Sequence, residues 1–232
     1  MSNELLLGAS VLLCYGSVLL LYRLFGKSGL YAWTVFAALA ANIEVLILVR
    51  AFGMEQTLGN VLFASTFVVT DILSENYGKK AADTAVRLGI VISVLFIPVS
   101  RLWLAFSPSE NDFIFPSVQA IFSNTPRLML ASLLVYALCQ GLDVFLYHKI
   151  WERTAAACGD RKKFLWLRNN AATLISQLVN AVCFNLAAFA GIYEKKTLIT
   201  VIASTYIIYA AAALLDTPAV YLARRFPKED ET

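Results

Sequence analysis

The chain has 232 residues, 59% of them hydrophobic and only 15% charged, with a formal net charge of +3. A mean hydropathy of +0.68 is too high for a water-soluble domain with a polar surface. The basic residues sit at the ends of apolar runs rather than in a dense stripe, so nucleic acid is not an expected partner.

A bilayer core of roughly 30 Å needs about 20 mainly apolar helical residues per crossing. In chain order, such runs cover residues 4–25, 29–52, 58–76, 84–106, 127–150, 166–193 and 197–222. The expected fold is therefore all-α, a polytopic transmembrane bundle of seven helices forming a single domain over residues 1–232. Six helices plus a re-entrant segment is the alternative. The first run has no Lys or Arg before it and is too long for the apolar part of a signal peptide, so it reads as a membrane helix. The breaks carry turn residues: Gly26 to Gly29, Gly53, Gly78-Lys79-Lys80, Pro108 to Asp112, Gly159 to Lys163 and Glu194-Lys195-Lys196.

With seven crossings, alternate loops fall on opposite sides of the membrane. One side collects Arg23, Lys27, Lys79, Lys80, Arg87, Lys149, Arg153, Arg161, Lys162, Lys163, Arg168, Arg224, Arg225 and Lys228; the other holds Arg50, Arg101, Arg127, Lys195 and Lys196. Basic residues accumulate in cytoplasmic loops, which puts the N-terminus outside and the C-terminus in the cytoplasm. Neither Cys14, Cys139, Cys158 and Cys183 nor the single His148 has metal-ligand or redox spacing, so no metal and no cofactor is expected.

Ionisable residues inside an apolar run cost at least ~2.5–3.5 kcal/mol each on insertion scales, and they usually mark a solute or ion path. The third run places Asp71 and Glu75 four apart on one helix face, near the helix C-terminus where the macrodipole disfavours anions. The fifth carries Gln140 and Asp143, and the seventh Asp216-Thr217-Pro218. Arg87 and Arg168 open the helices that start from the same side, so Asp71, Asp143 and Asp216 are expected inside the bundle, each within reach of Arg87, Arg168 or an amide of the sixth helix. The sixth run continues from Asn169 and Asn170 through Thr173, Ser176, Gln177 and Asn180, spacings of three and four that line one face. A small planar solute with several donors and acceptors is expected between the third, fifth and sixth helices, held by Glu75 or Asp71 with Gln140, Gln177 and Asn180. On this reading Glu75→Gln weakens uptake while leaving the fold intact.

Several stretches, in this order, resemble the queuosine-precursor transporter family, also called the vitamin uptake transporter family. They are Leu58-Gly59-Asn60, Thr70 to Ala82, Pro126-Arg127 with Ala131-Ser132, Gln140, Asp143-Val144, Leu165 to Asn170, Ser176-Gln177, Ala188 to Gly191 and Asp216-Thr217-Pro218. The resemblance implies a bacterial inner-membrane importer of 7-deazaguanine bases for salvage into queuosine, such as 7-cyano-7-deazaguanine, 7-aminomethyl-7-deazaguanine or queuine. Compared with the family pattern, Ile47 stands where lysine is usual, Ala172 for serine, Asn180 for aspartate and Tyr209 for lysine. Losing these together points to a charge network replaced as a set, through a different deazapurine or a drifted specificity. A membrane-embedded enzyme and a carrier of another planar heterocycle or vitamin are the competing readings, and the single interfacial histidine argues against catalysis. Small residues at Ala37 and Ala41, and at Ala187 and Gly191, allow a homodimer or serve internal packing.

Overall fold

The computed structural model describes residues 2–123 and 126–226. Helix α1 (Asn3–Glu44) is a hairpin of two helical halves, broken at Gly26, whose φ of 54° and ψ of −136° a residue with a Cβ rarely adopts. The second half turns back along the first, so that Ser10, Cys14 and Glu44 line one pocket and the start of α1 reaches the segment that follows its end. Asn3 Nδ2 donates to the Arg50 carbonyl at 2.8 Å, and Glu4 Oε1 accepts from the Phe52 amide at 3.0 Å. These halves correspond to the first two predicted runs.

The second run ends earlier than expected. Residues 48–52 are not helical; β1 (Leu48–Ala51) pairs antiparallel with β2 (Met54–Thr57), matching Leu48 to Thr57 and Ala51 to Met54. The turn between them has positive φ at both Phe52 (51°) and Gly53 (74°), the backbone of a type I′ hairpin. An apolar run as short as this suits a strand as well as a helix, and the turn decides between them.

Helix α2 (Asn60–Tyr77) meets α3 (Lys79–Ala105) at Gly78, and a short helix not expected from the sequence, α4 (Phe115–Ser123), precedes α5 (Pro126–Cys158). Helices α6 (Leu165–Phe189) and α7 (Lys195–Ala223) complete the bundle. Five of these helices, α1, α3, α5, α6 and α7, hold apolar stretches long enough to cross a membrane. Helix α2 does not qualify by composition, and its packing explains why. It lies against α1, α3, α5 and α7, and residues 64–74 are buried on every side. An element that never meets lipid can carry serines, threonines and an aspartate that a lipid-facing helix cannot. The outer surface is the reverse: Leu12, Leu13, Leu134 and Ile199 are each exposed by two-thirds or more, as a lipid-facing belt requires. Ala37 and Ala41 are buried, so that pair packs internally.

One end of the bundle gathers the Gly26 turn, Gly78, the α5–α6 loop and the end of α7. Lys27 lies over the Tyr77 ring at 5.4 Å, Asn76 Nδ2 donates to the Ala223 carbonyl at 3.3 Å, and Arg224 Nη1 donates to the Lys162 carbonyl at 3.4 Å. The opposite end holds the β-hairpin, tied to α7 by Ser204 Oγ donating to the Glu55 carbonyl at 2.7 Å.

Candidate functional site

At the first end, the four-residue spacing of Asp71 and Glu75 resolves into two different environments. Glu75 is compensated. Its Oε2 accepts from Arg168 Nη2 at 2.6 Å, Arg168 Nε at 3.2 Å and the Tyr147 hydroxyl at 2.8 Å, while Oε1 pairs with Arg224 Nε at 3.2 Å. Arg168 is fully buried; its Nη1 donates to the Lys163 carbonyl at 2.8 Å and its guanidinium lies 4.3 Å from the Trp151 ring centroid. All three faces of the planar fork are used, an arrangement lysine cannot reproduce. The cluster ties α2, α5, α6 and the end of α7 together, and it leaves Glu75 no free oxygen for a solute. Arg87 differs from expectation: it is exposed on α3 and makes no ion pair among the described residues.

Deeper in the bundle, Asp71, Asp143 and Asp216 are each no more than 1% exposed. Helix α6 serves all three. Thr173 Oγ1 donates to Asp71 Oδ2 at 3.4 Å, Ser176 Oγ to Asp143 Oδ1 at 2.9 Å, and Asn169 Nδ2 to Asp216 Oδ1 at 2.6 Å. These are the hydroxyls and amides of the predicted stripe, meeting acids from α2, α5 and α7 in turn. Among the described residues no arginine takes part: of the expected partners it is α6 that meets all three acids, with the Asn169 amide at Asp216 and hydroxyls rather than amides at Asp71 and Asp143. Asp71 Oδ1 and Asp143 Oδ2 remain buried with no protein partner.

The amides divide by how fully they are used. Gln140 bridges α5 to α2, donating from Nε2 to Thr66 Oγ1 at 2.5 Å and accepting from Thr70 Oγ1 at 3.3 Å. Asn170 donates to Thr217 Oγ1 at 2.7 Å and to the Trp166 carbonyl at 2.8 Å. Gln177 Oε1 faces Asn180 Nδ2 at 3.5 Å, and its own Nε2 has no partner.

Towards the hairpin end lies a narrow cavity of about 30 Å³. Asn60 and Phe63 of α2, Ser132 of α5, Asn180 and Phe184 of α6 and Tyr209 of α7 form its walls, with Ala41 of α1 and Val45 just after it on one side. That volume holds a water molecule and no more. Of the residues singled out as substrate-binding from the sequence, only Asn180 reaches it. Asn60, Phe63 and Ser132 were not singled out because an asparagine beside a helix start, or one aromatic in an apolar run, has no spacing signature.

Residues 57–223 match the family described as "Putative vitamin uptake transporter". The chain belongs to the vitamin uptake transporter family. It is 37% identical over 214 residues to the "Probable queuosine precursor transporter" of Bacillus subtilis (strain 168), an alignment covering 92% of this chain and 91% of that protein. No solved structure matches it. As a vitamin uptake transporter the chain is a multi-pass membrane carrier of a small molecule rather than an enzyme. Its departures from the resemblance pattern fall in three places: Ile47 is half exposed before β1, Ala172 is buried in α6, and Asn180 and Tyr209 share the walls of the small cavity.

Proposed function

We propose that this vitamin uptake transporter carries 7-deazaguanine bases, the precursors of queuosine, into bacterial cells as a single domain spanning residues 1–232. The observation that carries this reading is near full-length similarity to a relative named for that cargo. The interior supplies a compatible chemistry. A guanine-like edge offers N–H donors and a carbonyl, which carboxylates, amides and hydroxyls can match, while its flat rings suit aromatic walls. The route runs along α6, past Asn180, Gln177 and Gln140, then Asp143 and Asp71, to Asn170 and Asp216. The Glu75–Arg168 cluster closes its end.

That closed end is cytoplasmic, since it gathers the basic loops, and the N-terminus is outside. A cytoplasmic reporter fused ahead of α1 is then inactive and one fused after α7 active; the opposite pattern removes the orientation. A homodimer would use the exposed Ala187 near the end of α6 and Gly191 in the turn after it. The cargo is tested in cells unable to make the base. Expression of the chain should restore queuosine in tRNA when 7-cyano-7-deazaguanine is supplied outside. Unmodified tRNA despite protein in the membrane would refute the reading.

A further inference from the structure

We infer that the small cavity at the hairpin end is the closed form of the solute site, and that it takes its base as an uncharged species. A 7-deazaguanine bearing a nitrile is therefore bound in preference to one bearing an aminomethyl cation. This inference rests on the cargo proposed above and narrows it.

The cavity walls include flat aromatic faces. Phe63 and Tyr209 approach from α2 and α7 with ring centroids 5.9 Å apart at 38°, and Phe63 is held from behind by an edge contact with Tyr136 at 6.1 Å. Phe184 of α6 supplies a further face. Side chains so arranged suit a planar ring system once the walls part by the thickness of a base.

The polar groups among them are neutral and include a donor held in reserve. Asn60 is 5% exposed; its Oδ1 faces Thr57 Oγ1 at 3.0 Å, and its Nδ2 is buried without a partner. A buried amide N–H left unpaired is costly, and a ring carbonyl entering the cavity would satisfy it. Asn180, 3% exposed, and Ser132 line the same space from α6 and α5.

Among the described residues, no acidic or basic side chain forms part of these walls. On α1, Glu44 lies in a separate pocket with Ser10 and Cys14. Counted along their own helices, Asp71, Asp143 and Asp216 lie about two turns or more beyond the wall residues, and on α6 Ser176, which donates to Asp143 at 2.9 Å, lies one turn from Asn180, roughly 6 Å at 1.5 Å per residue. An aminomethyl substituent on the ring is shorter than that gap. Its ammonium would lose water among these walls and gain no counter-ion, whereas a nitrile has no charge to desolvate.

The test uses the full chain in nanodiscs at pH 7, with binding of radiolabelled 7-cyano-7-deazaguanine competed by the unlabelled cyano and aminomethyl bases. The cyano base should bind at least tenfold more tightly than the aminomethyl base. Asn180→Asp, which puts a carboxylate in the wall, should narrow that preference at least tenfold, and Asn60→Leu should weaken binding of both. Ser132→Cys is a milder probe: bound cyano base should slow thiol labelling at position 132, read by mass spectrometry, while labelling of the exposed Cys158 stays unchanged. Equal or tighter binding of the aminomethyl base overturns the inference and moves the site to the aspartate layer. Cyano-base binding indifferent to Asn60→Leu, with no protection at position 132, also overturns it but leaves the proposed cargo standing. Monodisperse wild-type protein that binds neither base defeats the cargo and the inference together.

Discussion

Replacing Glu75 by Gln removes one charge from the most buried ion pair described in the molecule, with Arg168 fully buried and the Glu75 side chain 4% exposed. Breaking a buried pair from one side costs about 3–5 kcal/mol, because the remaining charge is stranded. The lower end applies here. Arg168 keeps its bond to the Lys163 carbonyl and its contact with Trp151, and Arg224, 25% exposed at the side chain, can turn to water. A loss of about 3 kcal/mol, at about 2–4 °C per kcal/mol for a chain of this size, lowers the thermal midpoint by about 6–12 °C. This reverses the expectation from sequence that the substitution spares the fold. The assay is thermal unfolding of purified protein in detergent, run as a double-mutant cycle with Arg168→Met. The double variant should recover part of the loss, with a coupling of about 1.5 kcal/mol or more. A midpoint for Glu75→Gln within 2 °C of wild type, by the same conversion under about 1 kcal/mol, would refute the clamp.

Three further outcomes follow from the same geometry. Gly59→Ala should cost about 1–3 kcal/mol, since its Cβ would meet the Ala41 carbonyl at 2.9 Å and the Val45 nitrogen at 3.0 Å; Gly141→Ala, with nothing within 4 Å, is the matched control, and equal midpoints for the two would contradict the close approach of α1 and α2. Asn169→Leu takes the 2.6 Å donor from buried Asp216 and should destabilise by about 1–3 kcal/mol in the same unfolding assay, an effect that an unchanged midpoint would rule out. Arg87→Gln should stay within about 0.5 kcal/mol of wild type, and a larger drop would mean that Arg87 has a partner after all.

The membrane class and the course of the helices were legible because lipid imposes a long apolar run on each crossing, and loops cannot hide Gly26, Gly53 or Gly78. The helical stripe on α6 was legible for the same kind of reason, since Asn169, Thr173, Ser176 and Asn180 repeat at helical spacing. Partner choice was not. Asp71 and Glu75 share a face by spacing, yet Arg224, far along the chain, reaches Glu75, and Tyr147 sits below them with no motif of its own. The hairpin was hidden because Leu48 to Ala51 reads equally well as the end of a helix. The cavity was hidden because its walls come from five helices with one or two residues each, which leaves no local pattern to find.

The most direct measurement is transport by the purified chain reconstituted in liposomes. Radiolabelled 7-cyano-7-deazaguanine should enter with saturable kinetics, above protein-free vesicles, and be blocked by excess unlabelled base. Entry no faster than in protein-free vesicles, with the chain correctly inserted and monodisperse, would contradict the claim that this protein carries queuosine precursors.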